Sequence, residues 1–306
     1  MLKKLTVLFG KGFAMGTANI IPGVSGGTIA LLTGIYERLI NAIKSFDLQA
    51  AKLLVQFRFQ EFVSRVDLKF LAVLGTGVAV GVLTLARVLE NLLTNHEVYI
   101  MSVFFGLILM SVYYVGKTIK HFTASVAFLF VIGTGLAAGI AFLNPATENA
   151  SFVYIVVCGI AAICSMILPG LSGSFVLIIL GNYLLVLEAI NTFDLGILVP
   201  LGLGCVLGLV LFSRLLSFVF NRYHDQTISA MTGFILGSLV VIWPWKNVRT
   251  LTDTSGNLLL DRHGEPLIGG YEWVLPEITS QETMIALLLM IGGALAIVAV
   301  EKLADN

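Results

Sequence analysis

The sequence predicts an all-α polytopic membrane protein made of two inverted-topology repeats, each a re-entrant helical hairpin plus three transmembrane helices. Three observations carry this prediction: a composition too apolar for a soluble surface, a Pro-Gly-x-Ser-Gly break that occurs twice inside apolar sequence, and an uneven spread of basic residues. Of 306 residues, 58% are hydrophobic and 12% charged, with a mean hydropathy of +0.97, whereas a soluble domain carries roughly 25% charged residues. Apolar runs recur at 70–93, 98–116, 122–143, 151–168, 196–220, 227–245 and 281–300. Each is about the length of helix that crosses ~30 Å of hydrocarbon.

The first repeat is assigned to 1–143. Its hairpin, 5–41, contains Pro22-Gly23 with no polar stretch long enough for a surface loop. Non-helical backbone at membrane depth persists only when buried in protein or beside a wet cavity, so a re-entrant hairpin with arms 5–21 and 26–41 is expected in preference to one kinked span. Lys11 interrupts the N-terminal apolar run and no cleavage site follows, so this segment is expected to belong to the mature protein. The linker 44–69 holds Lys44, Lys52, Arg58, Arg65 and Lys69, and nine of the eighteen Lys and Arg residues lie within the first 69 positions. The positive-inside rule therefore puts linker and N-terminus in the cytoplasm. Spans 70–93, 98–116 and 122–143 complete the repeat.

The second repeat is assigned to 151–300. Ala18–Ile43 aligns with Ser165–Ile190 at an offset of 147 with nine identities in 26 positions, among them Pro22, Gly23, Ser25, Gly26, Gly34 and Tyr36. Beyond it, Gly75, Gly77, Gly81 and Arg87 match Gly202, Gly204, Gly208 and Arg214 at an offset of 127, Gly106 matches Gly233, and Ile132-Gly133 resembles Ile291-Gly292. Span counting brings hairpin 151–190 in from the outer face, opposite to the first, and returns the C-terminus to the cytoplasm. The segment 246–280 reads as an extracytoplasmic loop, in which NLLLDRHGEPLI suggests a short β-hairpin.

Inverted repeats with helices broken at mid-membrane point to a transporter substrate site. A hairpin tip leaves the first amides of its second arm without intrahelical partners, and the helix dipole adds partial positive charge, which suits an anion. Pro22, Gly23, Ser25, Gly26, Gly27 and Thr28 form one candidate binding tip, and Pro169, Gly170, Ser172, Gly173 and Ser174 the other. The glycines permit close approach, and the hydroxyls either cap the helix or donate to phosphate oxygens. Arg87 and Arg214 are candidate phosphate forks near opposite leaflets; snorkelling, or pairing of Arg87 with Glu90, is the structural alternative. Glu37, Arg38 and Glu188 end the second arms and are candidates for coupling or gating, with proton or sodium as the coupling ion. Lys11 is a candidate phosphate partner, and Asn19, matched by Met166, would act in one copy only.

Cys158, Cys164 and Cys205 sit in apolar spans without CxxC spacing, and the four histidines form no ligand pattern. Neither disulfide, metal, cofactor nor nucleic-acid partner is expected.

The segments KGFAMGTANIIPGVSGGTIALLTGIYE and MILPGLSGSFVLIILGNY, with the paired LGxGxxxGxxxxxR pattern, resemble the bacterial and archaeal polyprenyl-phosphate transporter family over nearly the whole chain except 246–280. The resemblance implies a flippase of undecaprenyl phosphate in the bacterial cytoplasmic membrane, returning the lipid carrier used for cell-envelope polysaccharide. Two alternatives remain open at this point: a small-anion or ion-coupled carrier, and an enzyme similar to undecaprenyl pyrophosphate phosphatase. That phosphatase has a PGxSRS motif and a glutamate-rich ExxxE segment; here Gly26 and Gly173 stand at the arginine position, and ExxxE is absent from the chain.

Overall fold

The computed structural model describes residues 2–20, 25–143, 145–250, 268–277 and 279–304. Helices α1 (Leu2–Ile20), α2 (Gly26–Leu32) and α3 (Tyr36–Lys44) form the first broken segment, followed by short helices α4 (Leu48–Val55) and α5 (Phe59–Arg65). Then come α6 (Leu68–Lys117) and α7 (Ala124–Ala141). The second broken segment is α8 (Phe152–Ile167), α9 (Gly173–Ile179) and α10 (Tyr183–Thr192), and α11 (Leu195–Arg222) and α12 (His224–Ile242) follow. Strands β1 (Lys246–Thr250) and β2 (Ile268–Trp273) pair antiparallel before α13 (Gln281–Ala304). The NLLLDRHGEPLI segment, where a short β-hairpin is expected, lies outside the described residues except for Ile268, which opens β2.

Six helical stretches among the described residues are long and apolar enough to cross a membrane: Leu68–Leu85, Asn95–Lys117, Ala124–Ala141, Leu195–Arg222, His224–Ile242 and Gln281–Ala299. The first two belong to α6, whose backbone leaves helical geometry at His96. Helix α12 is the central one, with 67% of its span buried against 17–33% for the others. Its lower hydropathy follows from this position, because it faces protein and can carry Thr227, Ser229, Thr232 and Ser238. Three of these hydroxyls bond back to carbonyls of their own helix region, and Ser229 donates to Val126 O on α7 at 2.6 Å. The main core gathers Ile29 and Tyr36 with Phe70, Ile108, Phe220 and Ile235.

Each second arm is two short helices, not the single helix expected over 26–41 and its counterpart. Gly34 and Gly181 adopt φ of +69° and +72°, conformations that L side chains resist and that end a helix. Around each, the same pair of bonds closes a Schellman turn: Ile35 N–H to Ala30 O and Gly34 N–H to Leu31 O, then Asn182 N–H to Leu177 O and Gly181 N–H to Ile178 O. Helices α9 and α10 consequently bend by 119°.

Packing between helices recurs at the sequence offsets. A Cβ on Gly12 would strike Leu74 O, one on Gly77 would strike Phe9 O, and one on Gly81 would strike Phe13 O. The corresponding positions behave alike: Gly159 abuts Leu201 O, Gly204 abuts Val156 O, and Gly208 abuts Ile160. A second set crosses between the halves. Gly106 on α6 meets Met290 O of α13 and Gly293 meets Val103 O, while Gly233 on α12 meets Phe130 O of α7 and Gly133 meets Ala230 O. The third span of each half thus packs on the second span of the other, and the partner of Gly133 in this pattern is Gly293, one residue beyond the Gly292 of the sequence match.

The two ends of the molecule differ. One end carries charge: Arg38 pairs with Asp67, Arg65 with Asp47 and Arg58 with Glu61. The other carries aromatics, where Trp273 Nε1 donates to Val240 O, Trp243 Nε1 to Val274 O, and Phe142 packs on Trp273. The buried Lys246 side chain lies 3.8 Å from Glu97 at this end; burial lowers its pKa and the carboxylate opposes that shift.

Candidate functional site

The two broken segments meet in the core, and the side chains that join them come from the first. Ser25 N-caps α2, accepting from Gly27 N–H at 3.1 Å. Its hydroxyl faces the last carbonyls of the α8 region, Met166 O and Leu168 O, each at 3.4 Å. Thr28 Oγ1 accepts from Gly170 N–H at 3.0 Å, and Tyr36 donates to Ile167 O at 2.8 Å. Ser25, Thr28 and Tyr36 are 2%, 0% and 2% exposed, so these bonds form away from solvent and each omitted partner would be costly. The fit is close: a Cβ on Gly27 would stand 2.8 Å from Ile167 O, and one on Gly170, whose φ is +86°, 2.6 Å from Phe234 O.

Among the described residues, the first tip satisfies its own amides. Gly26 N–H donates to Asn19 Oδ1 at 2.7 Å, Gly27 N–H to Ser25, and Thr28 N–H to Ser25 O. In this conformation, therefore, it presents Asn19 and Ser25 to itself instead of two open donors to an anion. Asn19 acts in one copy, as its mismatch with Met166 foretold: Met166 instead packs where a Cβ on Gly173 would fall. The second tip is more open. Ser172 makes no side-chain cap, its hydroxyl lies 2.8 Å from that of the exposed Ser174, Gly173 is buried, and Pro169 is buried behind them. Pro22 and Gly23 lie outside the described residues.

The remaining candidates are dispersed. Arg87 lies in the first arm of α6, and Arg214 is exposed on α11. Arg38 serves a structural bond, gripping Asp67 through Nε at 2.7 Å and Nη2 at 3.1 Å with its guanidinium 4.3 Å above Phe70. Glu37 lies 3.1 Å from His224 Nε2, joining α3 to the start of α12, and Glu188 is half-buried on α10. Lys11 donates to Thr33 O at 2.6 Å. Two groups were not singled out from sequence. Tyr36 had a signal, since it matches Tyr183 and a buried phenol needs a partner. The chain Lys44 Nζ to Ser217 Oγ to Asn41 Oδ1, each step 3.0 Å, had none.

A nearly all-helical, multispanning protein with two interrupted segments interlocked in its core has the architecture of a membrane transporter. The chain belongs to the undecaprenyl phosphate translocase-like family, whose model matches residues 15–259. It is 38% identical over 301 residues, 97% of this chain and 96% of the relative, to a polyprenyl-phosphate transporter of Vibrio cholerae. It is 31% identical over 252 residues, 76% of this chain and 84% of the relative, to a polyprenyl-phosphate transporter of Staphylococcus aureus. No solved structure matches it.

Proposed function

We propose that this chain is a flippase of undecaprenyl or a related polyprenyl phosphate in the bacterial cytoplasmic membrane, recycling the lipid carrier of cell-envelope polysaccharide synthesis. One observation carries the mechanism: the matched tips meet directly, through Thr28 and Gly170, at the centre of the helical bundle. A headgroup crosses between them, exchanging its phosphate oxygens for the hydroxyl and amide contacts that now hold the tips together, while the isoprenoid tail stays in lipid. Ser172 and Ser174 offer the hydroxyls first, and Ser25, Gly26, Gly27 and Thr28 follow when Asn19 lets go. Arg87 and Arg214 receive the phosphate near opposite leaflets.

Alternating access by two inverted repeats, 1–143 and 151–300, is supported by the repeated glycine contacts and by the Schellman turns. The Gly34 turn precedes Glu37, which meets His224 at the charged end, whereas Gly181 abuts Ala146 beside the aromatic end. The charged end is assigned to the cytoplasm, with both termini there. Glu37 and Arg38 gate that end, Glu188 acts from α10, and a proton or sodium ion is the proposed coupling partner. Membrane lipids are the other partners.

We infer that the chain holds its phosphate without hydrolysing it. Gly26 and Gly173 supply no cation to a diphosphate, and a flippase needs to hold its phosphate without activating water. Proteoliposomes containing undecaprenyl phosphate test this directly. Leaflet exchange is expected to be fast with the wild-type chain and slowed in Ser25→Ala, Arg87→Ala and Arg214→Ala. Exchange no faster than in empty liposomes would overturn transport, and phosphate release from undecaprenyl diphosphate would overturn the non-enzymatic assignment.

A further inference from the structure

Beside the charged end, α1, the start of α3 and the start of α6 enclose a cleft of about 250 Å³. Four cations line it, Lys4, Lys11, Arg38 and Lys69, and no carboxylate does. Two of the four are already anchored without being used up. Lys11 gives one N–H to Thr33 O, and Arg38 commits Nε and Nη2 to Asp67, leaving the Nη1 edge of its fork. Lys4 and Lys69 are exposed and form no ion pair among the described residues. The rest of the lining is apolar: Ile35 and Phe70 are buried, and Leu5 and Val7 at the lip are 36% and 52% exposed.

From this juxtaposition of four cations with an apolar floor and lip, we propose that the cleft binds a lipid-borne phosphate, the monoester headgroup held by the lysines and Arg38 and its hydrocarbon lying over Leu5 and Val7. A phosphomonoester carries about −1.5 to −2 charges at pH 7 and three strong acceptor oxygens, so several cations are needed to neutralise it. A site for free phosphate would gain nothing from an apolar lip, because the dissolved ion has no chain to bury. Arg38 also lines a separate neighbouring cavity with Gly34, Glu37, Arg65 and Asp67, so this one side chain is shared by the cleft and the candidate gate. The cleft is thus the station where the headgroup is received or released in one leaflet, an assignment that rests on the flippase reading.

The test uses the full chain in phosphatidylcholine nanodiscs, with retained lipid measured by native mass spectrometry. The probes are undecaprenyl phosphate, phosphatidylglycerol and inorganic phosphate. Retention of undecaprenyl phosphate is expected to fall about tenfold or more in Lys4→Gln/Lys69→Gln, the order implied by two lysines beside an anionic headgroup, and further in Lys69→Glu. Lipid-free melting should be unchanged, since neither exposed lysine forms an ion pair among the described residues. Phosphatidylglycerol, a diester with one charge, should be retained less, and millimolar inorganic phosphate should not compete. Equal retention by the variants overturns the site. Competition by inorganic phosphate overturns the lipid source, and equal retention of phosphatidylglycerol overturns the assignment to a monoester. Leaflet exchange in parallel separates the two proposals: wild-type exchange with unaltered retention in the variants sinks the cleft alone, whereas absent exchange sinks the flippase reading.

Discussion

Tyr36 shows how much of the central contact depends on single atoms. Its hydroxyl crosses from one half of the chain to the other to reach Ile167 O. Tyr36→Phe keeps the ring packed against Phe220, 5.7 Å away, and leaves that carbonyl without its donor, at a cost of about 1–3 kcal/mol for a buried group. Thermal unfolding in detergent should register this loss. Gly27→Ala is expected to be worse, because the added methyl meets the backbone oxygen of Ile167, which cannot move aside as a flexible side chain would. The sequence singled out Ser25 and both glycine-rich tips because the motif is local and duplicated, and Thr28 because it follows the first copy. It could not say which carbonyl Tyr36 would reach, because that contact spans 131 residues, and it read the tip amides as open because Asn19 closes one only after the chain has folded back.

At the scale of elements, Gly34 and Gly181 make a matched experiment. Both hold positive φ, so alanine is strained at each by about 1 kcal/mol or somewhat more. At Gly34 nothing lies within 4 Å of the added carbon, whereas at Gly181 it meets Ala146 O. Gly181→Ala should therefore lower the melting temperature more than Gly34→Ala. The apolar runs and their Pro-Gly breaks located both arms but missed the turns at Gly34 and Gly181, because a glycine in apolar sequence fits close packing as readily as a turn. The linker has a different stability. Hydrogen bonds from Arg65 and from Ala50 N–H hold the Asp47 pKa at about 2, below its ordinary 3.8. A depressed carboxylate stabilises above its ordinary value and loses that contribution as pH falls through the lowered one. The α4–α5 linker should keep its resistance to proteolysis from about pH 8 to about pH 5 and lose this contribution progressively as pH falls from about 4 to about 2. Arg65→Gln should bring the Asp47 carboxyl titration, followed by carbon NMR, upward toward its ordinary range.

At the scale of the whole molecule, the spans were legible from composition. Their partners were not, because an apolar surface states no preference among apolar neighbours in lipid. What selects them is the placement of Gly106, Gly133, Gly233 and Gly293, each of which lets a backbone oxygen of the other half approach. Cutting the chain in the 145–151 connection gives a clear expectation. Residues 1–145 expressed alone should be degraded, since α7 lacks α12, and co-expression with 146–306 should restore a stable complex that migrates as one species. Stable accumulation of the first fragment by itself would count against the exchanged packing. The exchange also bears on ancestry. A chain with a single copy would leave its third span without the groove built for it, and two such chains would supply each other's. Fusion of two such interlocked subunits would turn that mutual dependence from a matter of concentration in the membrane into a property of one polypeptide, and would leave each half free to differ at positions such as Asn19 and Met166.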